Sequence, residues 1–159
     1  EYGSMSDRDY GWCGMALSSH GRAADWFTGF TASSFDLLHA GHILMLKEAS
    51  EQCDHLIVGL HIDPSVERPE KNKPIQSLEE RMIQLEGCKY VDEIHTYTTE
   101  AELESLLNTL PIEIRIIGEE YKGKAFTGSR NWWHETYYNS RDHEYSTTEL
   151  RQRINNEPV

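Results

Sequence analysis

No apolar run in this chain approaches the ~20 residues that a membrane span needs, and its first residues lack the basic-then-apolar order of a secretory signal. A soluble protein is the expectation. Basic residues are also few: 15 Lys and Arg stand against 27 Asp and Glu, a formal net charge of -12. That balance argues against a nucleic-acid partner, because neutralising a phosphate backbone calls for a basic patch or stripe. Cys13, Cys53 and Cys88 are odd in number and show no Cys-x-x-Cys spacing. Neither a disulfide framework nor a thiolate zinc site is suggested, and a reducing cytoplasm fits best. The glycine-rich fingerprint Gly-x-Gly-x-x-Gly is missing after the first strand-like run, and so is the Walker pattern, which sets aside a dehydrogenase.

What is present is an alternation of strand-like and helix-like segments. Trp26 to Ala32 carries aromatic and β-branched residues, whereas Ile43, Leu46, Ala49 and Cys53 recur at helical spacing. Leu56 to Leu60 is a short apolar run suited to a buried parallel strand. A loop with Pro69, Lys71, Lys73 and Pro74 follows. Ser77 with Glu80 forms a capping box, which predicts a helix from about Leu78 to Glu86 that stops at Gly87. Val91 to Thr96 reads as a third strand. Thr99 with Glu102 is another capping box ahead of the stripe Leu103, Leu106, Leu107 and Leu110, and Ile112 to Ile117 is the fourth strand. The pattern predicts an α/β, Rossmann-like parallel sheet with helices on both faces and ligands at the carboxyl ends of the strands. At 159 residues one catalytic domain is expected, over 26–159. It follows an arm over 1–25 that is rich in Gly, Ser and Asp from Met5 onward, and Glu1 to Ser4 read as a cloning remnant.

The most informative stretch is Phe35-Asp36-Leu37-Leu38-His39-Ala40-Gly41-His42, where the period switches from strand to helix. His39 and His42 therefore sit at a helix N-terminus, where free backbone N–H groups and the positive end of the dipole attract anions. Two imidazoles add donors for a phosphoryl oxygen, and Gly41 lets the backbone approach closely. Histidines three apart also occur in metal sites, but no third ligand stands near them in sequence, so phosphate contact is expected and no metal site. Lys71, Lys73, Arg81, Lys89 and Arg141 are candidates for a local positive pocket that suits a small polyphosphate better than a polymer. Ser146 with Glu149 is a capping box whose helix start offers N–H groups and hydroxyls to phosphates.

The His-x-Gly-His turn is joined, in order, by Lys89-Tyr90-Val91-Asp92-Glu93, by Gly118-Glu119-Glu120-Tyr121, and by Arg141 followed by Ser146-Thr147-Thr148. With these four segments the chain resembles the cytidylyltransferases of the nucleotidyltransferase superfamily, most closely the glycerol-3-phosphate type, over roughly Phe27 to Ile154. The resemblance implies the His-x-Gly-His nucleotidyltransferase fold. It also implies CMP transfer from CTP, with Mg²⁺, to a small phosphate monoester such as glycerol 3-phosphate, in a homodimer. By the same resemblance His39, His42, Lys73 and Arg141 serve the reacting phosphates. Ser33, Ser34, Phe35, Lys71, Lys89, Gly118, Glu119, Ser146, Thr147 and Thr148 bind the nucleotide. Ser33 and Lys89 stand where the family has glycine and arginine. Asp36 and Tyr121 face the acceptor. Trp132, Trp133, Tyr137 and Tyr138 lie in a segment with little family counterpart and form either a cation-π cage or a strand packing surface. Two further readings remain: an adenylyltransferase of the same superfamily acting on a sugar phosphate or flavin mononucleotide, and a nucleotide-binding module without catalysis.

Overall fold

The computed structural model describes residues 27–130 and 134–158. The arm, Trp26, Trp132 and Trp133 lie outside the described residues. The elements run β1 (Thr28–Ser33), α1 (Ala40–Ser50), β2 (His55–His61), α2 (Leu78–Glu86), β3 (Glu93–Tyr97), α3 (Glu100–Thr109), β4 (Ile114–Gly118), β5 (Glu135–Asn139) and α4 (Thr147–Asn156). The strands form one sheet in the order β3-β2-β1-β4-β5, and every neighbouring pair is parallel. The chain steps outward from β1 to β3, then returns to the other side of β1 to lay down β4. The topological switch therefore falls between β1 and β4, and a crevice opens there at the carboxyl ends of the strands.

Strand β2 shows why the expected alternation holds. Leu56, Val58 and Leu60 pack on one face with Leu46 and Ala49 of α1 and Leu85 of α2. Ile57 points to the opposite face with Phe30, Tyr97, and Leu103 and Leu107 of α3. Both faces are covered, so the strand is apolar at nearly every position. Each of the buried Leu, Ile, Val and Phe side chains contributes roughly 1.5–3 kcal/mol relative to exposure.

The capping boxes at Ser77/Glu80 and Thr99/Glu102 both form. At Ser146 only half of the expected box forms: its side chain accepts from the Glu149 N–H at 3.1 Å, and among the described residues Glu149 does not return the bond. The third strand begins two residues later than its apolar run suggests, at Glu93 rather than Val91. Val91 instead packs on the core with Tyr90 while its N–H closes a turn to Cys88.

A fifth strand completes the sheet. β5 pairs with β4 from Ile114↔Glu135 to Gly118↔Asn139. Tyr137 and Tyr138 belong to this strand, and the other two aromatics of the segment, Trp132 and Trp133, lie outside the described residues. The Tyr137 hydroxyl donates to Glu48 at 2.8 Å, and the Lys122 ammonium lies 5.8 Å from the centre of the Tyr138 ring.

Candidate active site

The turn from β1 into α1 is built around two residues in the left-handed region, Phe35 at φ 49° and Leu37 at φ 53°. Such backbone is costly for side chains without special tolerance and persists where its surroundings fix it. Phe35 is anchored in the core, and the Leu37 N–H donates to Gln76 Oε1 at 2.8 Å. Ser33 lies in the extended end of β1, so the left-handed positions of the turn fall two and four residues after it.

His39 then caps α1. Its Nδ1 accepts the Gly41 N–H at 3.0 Å, and its own backbone N–H donates to His42 Nδ1 at 3.2 Å. Each Nδ1 is thus an acceptor, which places the proton of each neutral ring on Nε2. The rings stack with centroids 4.0 Å apart. Burial holds the His42 imidazole down to about pKa 4, and the neighbouring His39 and Arg141 add to this against the opposing pull of Asp36. His39 is lowered as well, by burial and then by His143. Two neutral imidazoles therefore present Nε2–H donors at the start of a helix. Among the described residues no acceptor takes the His42 Nε2–H, whereas the His39 Nε2 lies 3.1 Å from the Thr147 hydroxyl at the start of α4.

These groups border a cavity of about 680 Å³, a volume in the range of small-molecule sites. Its walls include Ser33 and Ser34 at the end of β1, Gly118 at the end of β4, Lys71 and Asn72 from the loop after β2, and Arg141, Ser146 and Thr147. Arg141 sits at the rim. Its backbone N–H donates to Glu119 at 3.1 Å and its guanidinium pairs with Glu120 at 2.8 Å. Gly41 is needed for space. A Cβ there would lie 2.9 Å from Cε1 of His39 and 3.0 Å from Cε1 of His143.

Residues 30–153 match the model of the cytidylyltransferase-like family. The chain belongs to that family. It is 38% identical over 101 residues, 63% of its length, to the bifunctional protein HldE of Campylobacter concisus. It is 41% identical over 80 residues, half of its length, to a protein of Encephalitozoon cuniculi named as a probable ethanolamine-phosphate cytidylyltransferase. The matched segments span only 21% and 25% of those two relatives. The lipopolysaccharide core biosynthesis protein of Thermoplasma volcanium has the same fold, with a TM-score of 0.52 at 22% identity over 82% of this chain and 87% of that one. A protein of Vibrio parahaemolyticus named for nicotinate-nucleotide adenylyltransferase activity aligns with a TM-score of 0.53 at 13% identity, over 82% and 88% of the two chains.

Within this cytidylyltransferase-like domain the structure brings together at the cavity His39, His42, Ser33, Ser34, Lys71, Gly118, Tyr121, Arg141, Ser146 and Thr147. Other expected site residues lie elsewhere. Asp36 is buried, and its carboxylate accepts the N–H groups of Ile75 and Gln76 at 2.8 and 2.9 Å and pairs with Arg151 at 3.0 Å. It fastens the loop after β2 and helix α4 to the histidine turn, and it does not line the cavity. Arg81 is likewise internal: it donates to the carbonyls of Ser34, His61, Ile62 and Gln76. Lys89 precedes β3, at the amino edge of the sheet opposite the cavity, and its ammonium lies 5.3 Å from the centre of the Tyr90 ring. Phe35 is core, and Lys73, Glu119 and Thr148 stand beside lining residues without lining the cavity themselves.

Sequence reasoning missed His143, Arg115, His61 and Tyr97, all of which line the cavity. His143 lies two residues beyond Arg141 inside a matched segment. Arg115 is one of two charges, with Glu113, that interrupt the run of isoleucines from Ile112 to Ile117, and that interruption was its signal. No group of three or more His, Cys, Asp or Glu side chains among the described residues is arranged to hold a metal ion. No helix among them is long and apolar enough to cross a membrane.

Proposed function

We propose that this domain transfers a nucleotidyl group, CMP from CTP in the leading reading, to a small phosphate monoester. The observation that carries it is the pair of neutral Nε2–H imidazoles capping α1 at the β1/β4 switch point, ringed by Lys71, Arg141 and the start of α4. A phosphate oxygen of the acceptor attacks the α-phosphorus in line, forming a new P–O bond. The bond from the α-phosphorus to the bridging oxygen breaks, and pyrophosphate leaves with its electron pair. No proton transfer by the protein is needed, so positioning and charge stabilisation dominate. His42 donates from Nε2 to the charge that grows on the α-phosphoryl oxygens. His39 and Thr147 fix the neighbouring phosphate, and Arg141 with the free N–H groups of α4 holds the leaving pyrophosphate. Mg²⁺, when present, is suited to coordination by the nucleotide's own phosphates, since the described residues offer no carboxylate cage.

The resemblance of the site segments to cytidylyltransferases supports CTP. ATP as donor is the second reading, because the histidine turn contacts phosphates and does not read the base. The test is pyrophosphate release with Mg²⁺ and either nucleotide, against glycerol 3-phosphate, phosphoethanolamine, phosphocholine and sugar phosphates. Release with CTP is the expected result. Release with ATP alone would make the domain an adenylyltransferase, and nucleotide binding without release across the panel would make it a non-catalytic binder.

A further inference from the structure

The cavity extends from the phosphate site along the α3 side of the sheet, where His61, Arg68, Tyr97, Arg115, Phe126 and Thr127 line it. Arg115 is only 4% exposed. Its guanidinium carbon lies 5.7 Å from the centre of the Phe30 ring and 5.5 Å from that of Phe126. Nη1 donates to the Thr127 carbonyl at 2.8 Å, whereas the buried Nε has no hydrogen-bond partner among the described residues. Buried arginines are ordinarily paired with a carboxylate, yet among the described residues none lies within ion-pairing distance of Arg115. Glu100, the acid that acts on it through space, is occupied: it accepts the Thr127 hydroxyl and faces Arg68 at 3.7 Å. Arg115 is therefore a desolvated cation with an unpaired donor, and its side chain belongs to the lining of the cavity.

Register places this cation away from the reacting phosphates. Arg115 pairs with Phe30, three residues before Ser33, and three residues of strand span about 10 Å. An acceptor whose phosphate reaches the histidines would meet Arg115 with its opposite end. The carboxylate of Glu100 close by disfavours a dianion there, whereas a single negative charge fits the planar fork.

Resting on the nucleotidyl-transfer reading, we propose that Arg115 determines acceptor specificity by binding a carboxylate carried by the acceptor at the end remote from its reacting phosphate. Two pairs of compounds isolate that group: 3-phosphoglycerate against glycerol 3-phosphate, and phosphoserine against phosphoethanolamine. The carboxylate member of each pair should have a kcat/KM at least tenfold higher, and calorimetric titration should show it binding correspondingly tighter. In Arg115→Gln that ratio should fall toward one, through KM of the acceptor rather than KM of the nucleotide. Arg115→Lys, which keeps the charge without the fork, should give an intermediate ratio and serves if the Gln variant does not fold. Equal or better use of the uncharged or ammonium-bearing member by the wild-type protein would overturn the proposal, as would an Arg115→Gln variant that loses both members of a pair alike. If no compound releases pyrophosphate, the transfer reading fails separately. Calorimetry then decides the carboxylate site alone, with loss of 3-phosphoglycerate binding in Arg115→Gln supporting it and no binding to the wild type overturning it.

Discussion

Replacing Asp36 with alanine separates a clamp from a substrate contact. The carboxylate accepts two backbone N–H groups from the end of the loop after β2 and pairs with Arg151 of α4, all within 3.0 Å. Hydrogen bonds to charged groups contribute about 1.5–3 kcal/mol each, and breaking a buried pair costs about 3–5 kcal/mol. The loop amides regain water in the variant, and the Arg151 side chain is already 28% exposed, so the low end applies and we expect a loss of about 3 kcal/mol. At about 3 °C per kcal/mol for a domain of this size, Tm should fall by roughly 10 °C. Both phosphate-facing segments lose their anchor together, the Lys71 loop and the Thr147 end of α4. KM for the nucleotide should therefore rise roughly tenfold, the effect of about 1.4 kcal/mol. Thermal unfolding by circular dichroism and steady-state pyrophosphate release read the two effects. A Tm within about 2 °C of wild type, less than the shift of 1 kcal/mol, together with a raised KM for the acceptor alone, would refute the clamp and return Asp36 to the acceptor site.

His42→Ala should lower kcat by roughly a hundred- to a thousandfold with little change in nucleotide binding, because it removes a donor that matters most in the transition state; single-turnover kinetics beside equilibrium binding checks this. Gly41→Ala should leave Tm unchanged or slightly raised, since alanine favours a helix by about 1 kcal/mol, yet reduce turnover because its methyl displaces the His39 or His143 ring; near-normal kcat would show that the rings have slack. The His42 imidazole should stay neutral well below pH 6, which an NMR titration can follow, and a midpoint near 6.5 would contradict the burial. Its effect on stability has a definite sign: the unfolded ring takes a proton below pH 6.5 that the folded ring refuses until about pH 4, so acidification across that window removes stability, on the order of 3 kcal/mol for this group.

The sheet was legible because its signals are local. A continuous apolar run such as Leu56 to Leu60 has one economical place, between two covered faces, and Ser77/Glu80 and Thr99/Glu102 mark helix starts by chemistry that needs no tertiary context. β5 was hidden because its residues Glu135 to Asn139 mix charge with aromatics at a sheet edge, where one face is open and the apolar pattern is weak. At the site, the place of the histidines at a helix start was legible because the hydrophobic period switches from strand to helix at that point. Asp36 and Lys89 were misplaced for a different reason. A motif fixes order along the chain, whereas the partner of a carboxylate is decided by which loop folds over it, here Ile75 and Gln76 some forty residues away.

The nucleotidyl-transfer proposal requires so acidic a chain to hold a polyphosphate. Its net charge is -12, and the His42 imidazole, held down to about pKa 4, adds no positive charge at neutral pH. On that proposal the attraction would come from oriented dipoles and few cations: the starts of α1 and α4, the two Nε2–H donors, Lys71 and Arg141. Glu119 and Glu120 hold Arg141 in the structure, the first through its backbone N–H and the second through its guanidinium. Such donors are fixed before the substrate arrives, so they need no reorganisation as charge moves onto the phosphoryl oxygens. A neutral imidazole is also released from its product more readily than an imidazolium, which would hold pyrophosphate as an ion pair. Arg141→Ala should accordingly raise KM for the nucleotide by tenfold or more and leave the His42 midpoint close to its low wild-type position, since burial, not Arg141, is the larger cause of its low pKa. A His42 midpoint that rises toward 6.5 in that variant would show instead that the arginine's charge, and not desolvation, keeps the ring neutral.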